Sequence, residues 1–73
     1  MIFDVGHRYQ VVTTQDATSP DFSGEYVGEL QLAGGLVAHE FDVEGRLPEM
    51  TGSGTHWYPV VLAAEIFSAV ELS

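Results

Sequence analysis

Neither cysteine nor lysine occurs in this chain, and arginine occurs only twice. Without thiols there is no disulfide framework, no thiolate metal site and no cysteine nucleophile; such a composition suits a reducing compartment, so a cytoplasmic location is expected. The shortage of basic residues excludes more. Nucleic acids and anionic membranes are held by Lys and Arg that displace counterions, and two arginines cannot build such a surface. No apolar run approaches the ~18 residues of a membrane span, and MIFDVGHRYQ lacks the basic and apolar regions of a signal peptide. A soluble protein without a cleaved signal is expected.

What the chain does carry is acid and aromatic residues. Eleven Asp and Glu give a formal charge of −9, which points to a basic surface on another protein as partner. The 73 residues make a single domain, 1–73, and with 45% apolar residues they form a core rather than a disordered tail. A domain of this size buries only about 60% of its unfolded surface, so its stability is modest.

No repeat, low-complexity tract or linker divides the chain. Arg8 to Thr14 reads as a first strand, and QDATSPDFSG after it as a loop. Two alternating runs follow around Gly34-Gly35, Glu44-Gly45 marks a further turn, and Pro48 restricts 46–50 to an edge strand or coil. Thr51 to Thr55 reads as a flexible loop. In the last third, VLAAEI fits a helical turn followed by a strand, FSAVEL; the alternative is one continuous helix through the same residues.

Gly34-Gly35 as a two-residue turn pairs Glu29 with Glu40 and Glu25 with Glu44. Side-chain alternation then assigns Tyr26, Leu30, Leu32, Val37, His39, Phe41 and Val43 to the core face. Glu25, Val27, Glu29, Gln31, Ala38, Glu40, Asp42 and Glu44 go to the outer face. Like charges directly opposite cost roughly 0.2–1 kcal/mol per pair, and mild acid is expected to relieve the Glu29–Glu40 repulsion. Carboxylates at Glu40, Asp42 and Glu44 are spaced about 6.6 Å apart, a repeat comparable with phosphates on a nucleic-acid strand.

His39 falls between apolar neighbours and reads as a hydrogen-bonded core histidine. His7 and His56 stand apart in sequence, and neither His-x-His, His-Glu-x-x-His nor an EF-hand loop occurs, so no metal site is expected and no cofactor is implied. Strand carboxylates without loop carbonyls make a poor Ca²⁺ or Mg²⁺ cage. The glycines around Ser53 lack the Gly-Lys-Ser/Thr of a phosphate loop. His56-Trp57-Tyr58-Pro59 is the one dense aromatic cluster; Trp57 belongs either to the core or, if Tyr58 points inward, to an interface. The candidate partner-binding residues are therefore Glu25, Glu29, Glu40, Asp42, Glu44 and Trp57. With no recognisable acid, base or nucleophile set, the chain is expected not to be an enzyme.

Four or five short antiparallel strands with a helical turn before the last resemble small SH3-like and Sm-like barrels, through FSGEYVGEL and AAEIFSAVEL. The expected fold class is thus mainly β, a small, partly open barrel; the alternative is α+β with a C-terminal helix packed on a sheet. Tyr58-Pro59-Val60 also resembles the closing segment of the plasmid-type dihydrofolate reductases. Thr55, His56 and Trp57 stand where that family has Val-Gln-Ile, and its ligand-binding lysine has no counterpart, so the activity does not carry over. In size, acidity and lack of catalytic groups the chain resembles small phage-encoded regulators that bind host machinery, among them inhibitors of bacterial RNA polymerase and mimics of DNA. That resemblance implies an acidic interaction module in the host cytoplasm, affecting transcription by occupying a basic surface. The alternative expectation is a structural subunit of a homo-oligomer or virion-like assembly.

Overall fold

Alternation of Tyr9 and Val11 with Gln10 and Val12 makes RYQVVT a strand with one buried face, and Arg8–Thr13 forms β1. The computed structural model describes residues 2–45 and 55–72. It continues with β2 (Phe22–Gln31), β3 (Val37–Glu44), β4 (His56–Trp57), β5 (Val60–Leu62) and β6 (Ile66–Leu72), with 3₁₀ turns at Ala33–Gly35 and Ala63–Glu65. The expectations for 46–50 and 51–54 fall outside the described residues.

All pairings are antiparallel in the order β4-β3-β2-β1-β6, with β5 also on β3. The fold is mainly β, and its sheet is not closed. The helical turn followed by a strand is as expected, and the continuous C-terminal helix does not form. Tyr58-Pro59 separates β4 from β5, and both lie on the same edge of β3. Proline has no N–H to give the ladder, but its carbonyl still accepts Phe41 N–H at 3.0 Å.

Chain connectivity dictates the curvature. β5 lies at one edge of the sheet and β6 at the other, four strand spacings or roughly 19 Å apart if the sheet were flat. The three residues Ala63–Glu65 between them span at most about 14 Å, ends included. The sheet must therefore curl. Glu65 holds the connecting turn: its carboxylate accepts Leu62 N–H at 3.2 Å and Thr18 N–H at 3.4 Å, and its carbonyl accepts Thr14 N–H at 2.8 Å.

Two features of β2 accommodate the curl. At Gly24 an added Cβ would lie 2.9 Å from both the Asp42 carbonyl oxygen and Val43 Cγ2, so β2 and β3 approach more closely there than any side chain permits. At Val27 the β2–β3 register shifts by one residue, a β-bulge that increases local twist.

Inside the curl, Tyr9, Val11, Phe22, Tyr26, Phe41, Val43 and Val61 form the core, with Trp57, Ile66 and Ala69 packed against it. Phe22 was expected in a loop. It begins β2 instead, because Asp21 closes the connection by accepting Thr13 N–H at 3.0 Å. The N-terminal segment lays Phe3 over one end: its ring stacks on Tyr26 at 5.0 Å and meets Tyr9 and His39 at 4.9 Å.

The Gly34-Gly35 turn differs from its expected form. Leu32 N–H donates to Leu36 O at 2.8 Å, enclosing a three-residue loop in which both glycines have positive φ, 77° and 76°. One extra loop residue shifts the register by one, and the bulge shifts it again. Glu25 faces Asp42, Gly28 faces Glu40 and Glu29 faces His39. The expected pairs Glu29–Glu40 and Glu25–Glu44 do not exist, and with them goes the expected relief of strain by acid. Leu30 and Leu32, assigned to the core, are 37% and 41% exposed, while Ala38, on the outer face as assigned, is nonetheless fully buried.

His39 is the buried polar residue of this interior, and its Nδ1 lies 2.9 Å from the Tyr26 hydroxyl. Burial pushes the His39 pKa below its usual 6.5, against the opposing pull of Glu29, and burial pushes Tyr26 above 10.0. The phenol therefore stays protonated and shares its hydrogen bond with a neutral imidazole.

Two predictions follow from these contacts. Gly24→Ala should lower stability by about 1–3 kcal/mol in denaturant melts, whereas Gly28→Ala, with open space around the added Cβ, should change it little. Because the unfolded imidazole binds a proton that the folded one refuses, His39 favours unfolding in acid. Its contribution should be complete above pH ~6.5 and fall as pH drops through and below that value, a slope that melts of His39→Leu should lack.

Candidate functional site: the acidic outer face of the sheet

In strands the side chains opposite one another share a face, so the register decides which charges meet. Arg8 of β1 pairs with Glu25 of β2, and Glu25 pairs with Asp42 of β3. Tyr9, the neighbour of Arg8, points into the core; Arg8 therefore points out, beside Glu25 and Asp42. Glu40 and Glu44 flank Asp42 on the same face by alternation along β3. Glu44 pairs with His56 of β4, whose Nδ1 lies 2.7 Å from Asp42 Oδ1. Arg8, Glu25, Asp42, Glu44 and His56 together line an open depression of about 220 Å³.

Four of the expected carboxylates are thus brought together, Glu25, Glu40, Asp42 and Glu44, and one is not. The three-residue loop sets Glu29 on the side of His39, and the Val27 bulge puts Glu25 on the other; Glu29 is exposed there and accepts a 2.7 Å hydrogen bond from Gln31. Leu30 consequently joins Ala38 and Leu62 on the outer face. The hairpin itself carries no Arg or Lys on this face; β1 contributes Arg8 and β4 contributes His56. Both come from strands outside the hairpin, so local sequence could not reveal them.

Trp57 is half-buried rather than displayed. It pairs with Val43 and packs edge-to-face on Phe22 at 5.8 Å, because residues paired with the inward Val43 also face inward. Tyr58, next in sequence, is the exposed aromatic at 56%. The cluster HWYP therefore exposes a tyrosine, not a tryptophan, to solvent.

Glu25 and Asp42 are like charges directly opposite, with Arg8 on the far side of Glu25 and His56 bonded to Asp42. A row of alternating cation, two anions and imidazole carries most of its repulsion at the centre. It provides acceptors for a partner's arginines but no nucleophile beside a base. Among the described residues no helix is long and apolar enough to cross a membrane. No family model matches the chain, and neither a curated protein nor a solved structure is significantly similar to it.

The strength of this row is measurable. Glu25→Gln should leave stability nearly unchanged in the wild type, where losing repulsion from Asp42 offsets losing Arg8. In an Arg8→Gln background the same change should stabilise by roughly 0.2–1 kcal/mol, read as the coupling in a double-mutant cycle.

Proposed function

We propose that this protein is a non-enzymatic interaction module whose acidic outer face docks on a basic surface of a larger protein. One observation carries the reading: Glu25, Glu40, Asp42 and Glu44 converge on one face of two paired strands, with a like-charge pair at its centre. Folding gains nothing from Glu25 opposite Asp42, whereas a basic partner would gain from both. The ~6.6 Å repeat along Glu40, Asp42 and Glu44 suits a groove built to take phosphates. Exposed Tyr58 and Val60 border the same edge and supply apolar contact at its rim.

The finer reading follows from charge and size. A small acidic domain of this kind acts by occupying a nucleic-acid-binding groove, and a bacterial RNA polymerase, as the target of a phage-encoded regulator in the host cytoplasm, is a partner of that description. Its mechanism is steric, with electrostatic steering of the encounter. A structural subunit is the second reading, favoured by β6: this edge strand exposes Phe67 (75%) and Val70 (62%) and carries a single charge, Glu71.

The deciding experiment is affinity capture on purified bacterial RNA polymerase and on whole lysate. It compares the wild type with a Glu25→Gln, Glu40→Gln, Asp42→Asn, Glu44→Gln variant at ~0.1 M and ~1 M salt. We expect one basic partner held by the wild type, released at high salt and absent with the variant. Equal capture by both proteins would remove the acidic face from the mechanism. Sedimentation showing an oligomer that survives the four substitutions and dissociates in Phe67→Asp would establish the structural subunit instead.

A further inference from the structure

We propose that Asp4, His7 and Glu71 bind a divalent transition metal of the zinc class, tying the N-terminal segment to the last strand. This site lies apart from the acidic outer face and does not depend on the function assigned to it. One donor atom from each of the three side chains falls within 4.8 Å of the others, and His7 Nδ1 stands 3.3 Å from Glu71 Oε1.

The backbone assembles the set from opposite ends of the chain. His7 N–H donates to Asp4 O at 3.1 Å, a turn that Gly6 permits with φ 87°, and this brings Asp4 and His7 to one side. Glu71 arrives through β6, where it pairs with Tyr9. Tyr9 is itself nearly fully buried, and its hydroxyl touches both halves: it accepts Asp4 N–H at 2.8 Å and donates to Glu71 Oε1 at 3.5 Å. A phenol bound to a carboxylate ligand is the kind of outer partner that orients ligands in metal sites.

The donor set selects the ion. Zinc bonds to imidazole nitrogen and carboxylate oxygen are about 2.0–2.2 Å, so adjacent ligand atoms in a tetrahedral shell stand roughly 3.3 Å apart. The His7–Glu71 separation meets that value, and exposed side chains can close the remaining distance by rotation. One imidazole with two carboxylates suits zinc, cobalt or nickel, while calcium and magnesium favour oxygen ligands throughout. Charge argues the same way. Two carboxylates share this corner, and Arg8, the one lysine or arginine among the described residues, is turned to the opposite face of β1. Three protein ligands leave a position for water.

Binding here fastens the segment that carries Phe3, and with it the aromatic lid of the core. Metal should therefore raise thermal stability. The test titrates Zn²⁺ into the full chain, with melting temperature and calorimetric binding as readouts. Co²⁺ then serves as a probe that broadens nearby histidine ring signals in NMR. We expect saturable binding of one ion and a rise in Tm on the order of 10 °C at a hundredfold excess over Kd. Both effects should be lost in His7→Ala and Asp4→Asn but kept in His56→Ala, and Co²⁺ should broaden His7 before His56. The cobalt experiment needs no variant, so it stands even if a substitution unfolds the chain. Absence of saturable binding, retention of it in His7→Ala, or first broadening at His56 would overturn the assignment and leave His7–Glu71 an ordinary ion pair.

Discussion

The three-residue connection between β5 and β6 is the constraint on which the rest of the structure depends. It joins opposite edges of one sheet, so the sheet curls, and the concave side of that curl becomes the core. The long strand β2 absorbs the bending at Gly24 and Val27. Both distortions also set which side chains meet across β2 and β3. Shape and charge distribution therefore share one cause: the bulge that helps the sheet turn also separates Glu29 from the other four carboxylates. Had β2 been regular, Glu29 would still stand opposite His39, but Glu25 would face the inward Val43 instead of Asp42.

A core this small leaves little surplus stability, and its interior is assembled from rings rather than aliphatic bulk. Phe3, Tyr9, Tyr26, Phe41 and His39 pack within ring-contact distances at one end. Phe22 and Trp57 extend the cluster at the other. Such pairs contribute beyond the area they bury, and the single buried histidine is satisfied by a tyrosine hydroxyl. The convex side is left to the acids. There Arg8 and His56, reaching in from β1 and β4, moderate a field that the hairpin alone would make entirely negative.

Much of this was legible in the chain. Alternation in RYQVVT located β1, and the Val61 to Leu72 pattern fitted a turn and strand while leaving a continuous helix as its alternative. The placement of His39 among apolar neighbours identified it as a bonded core residue. Glycine at both positions 34 and 35 announced positive φ but not the number of loop residues, since two- and three-residue hairpins use glycine alike. The Val27 bulge has no local signature. It answers to curvature, which is a property of the whole sheet; the third loop residue reversed the faces of Leu30 and Glu29, and the bulge returned Tyr26 and Glu25 to theirs. Local sequence left Trp57 open between core and interface for a related reason: its inward direction comes from pairing with Val43, fourteen residues earlier. The Asp4, His7 and Glu71 group could not be seen in sequence at all, because no spacing motif joins residues 4 and 71.

The β2–β3 register is the claim from which the outer face and the displacement of Glu29 derive, and its bulge is where β2 takes up the curl. Its most direct test is the pattern of interstrand Hα–Hα and amide contacts by NMR. The account predicts contacts of Glu25 with Asp42, Glu29 with His39 and Gln31 with Val37, with Val27 unpaired. Contacts of Glu29 with Glu40 and of Glu25 with Glu44 would instead establish a regular two-residue hairpin and contradict it.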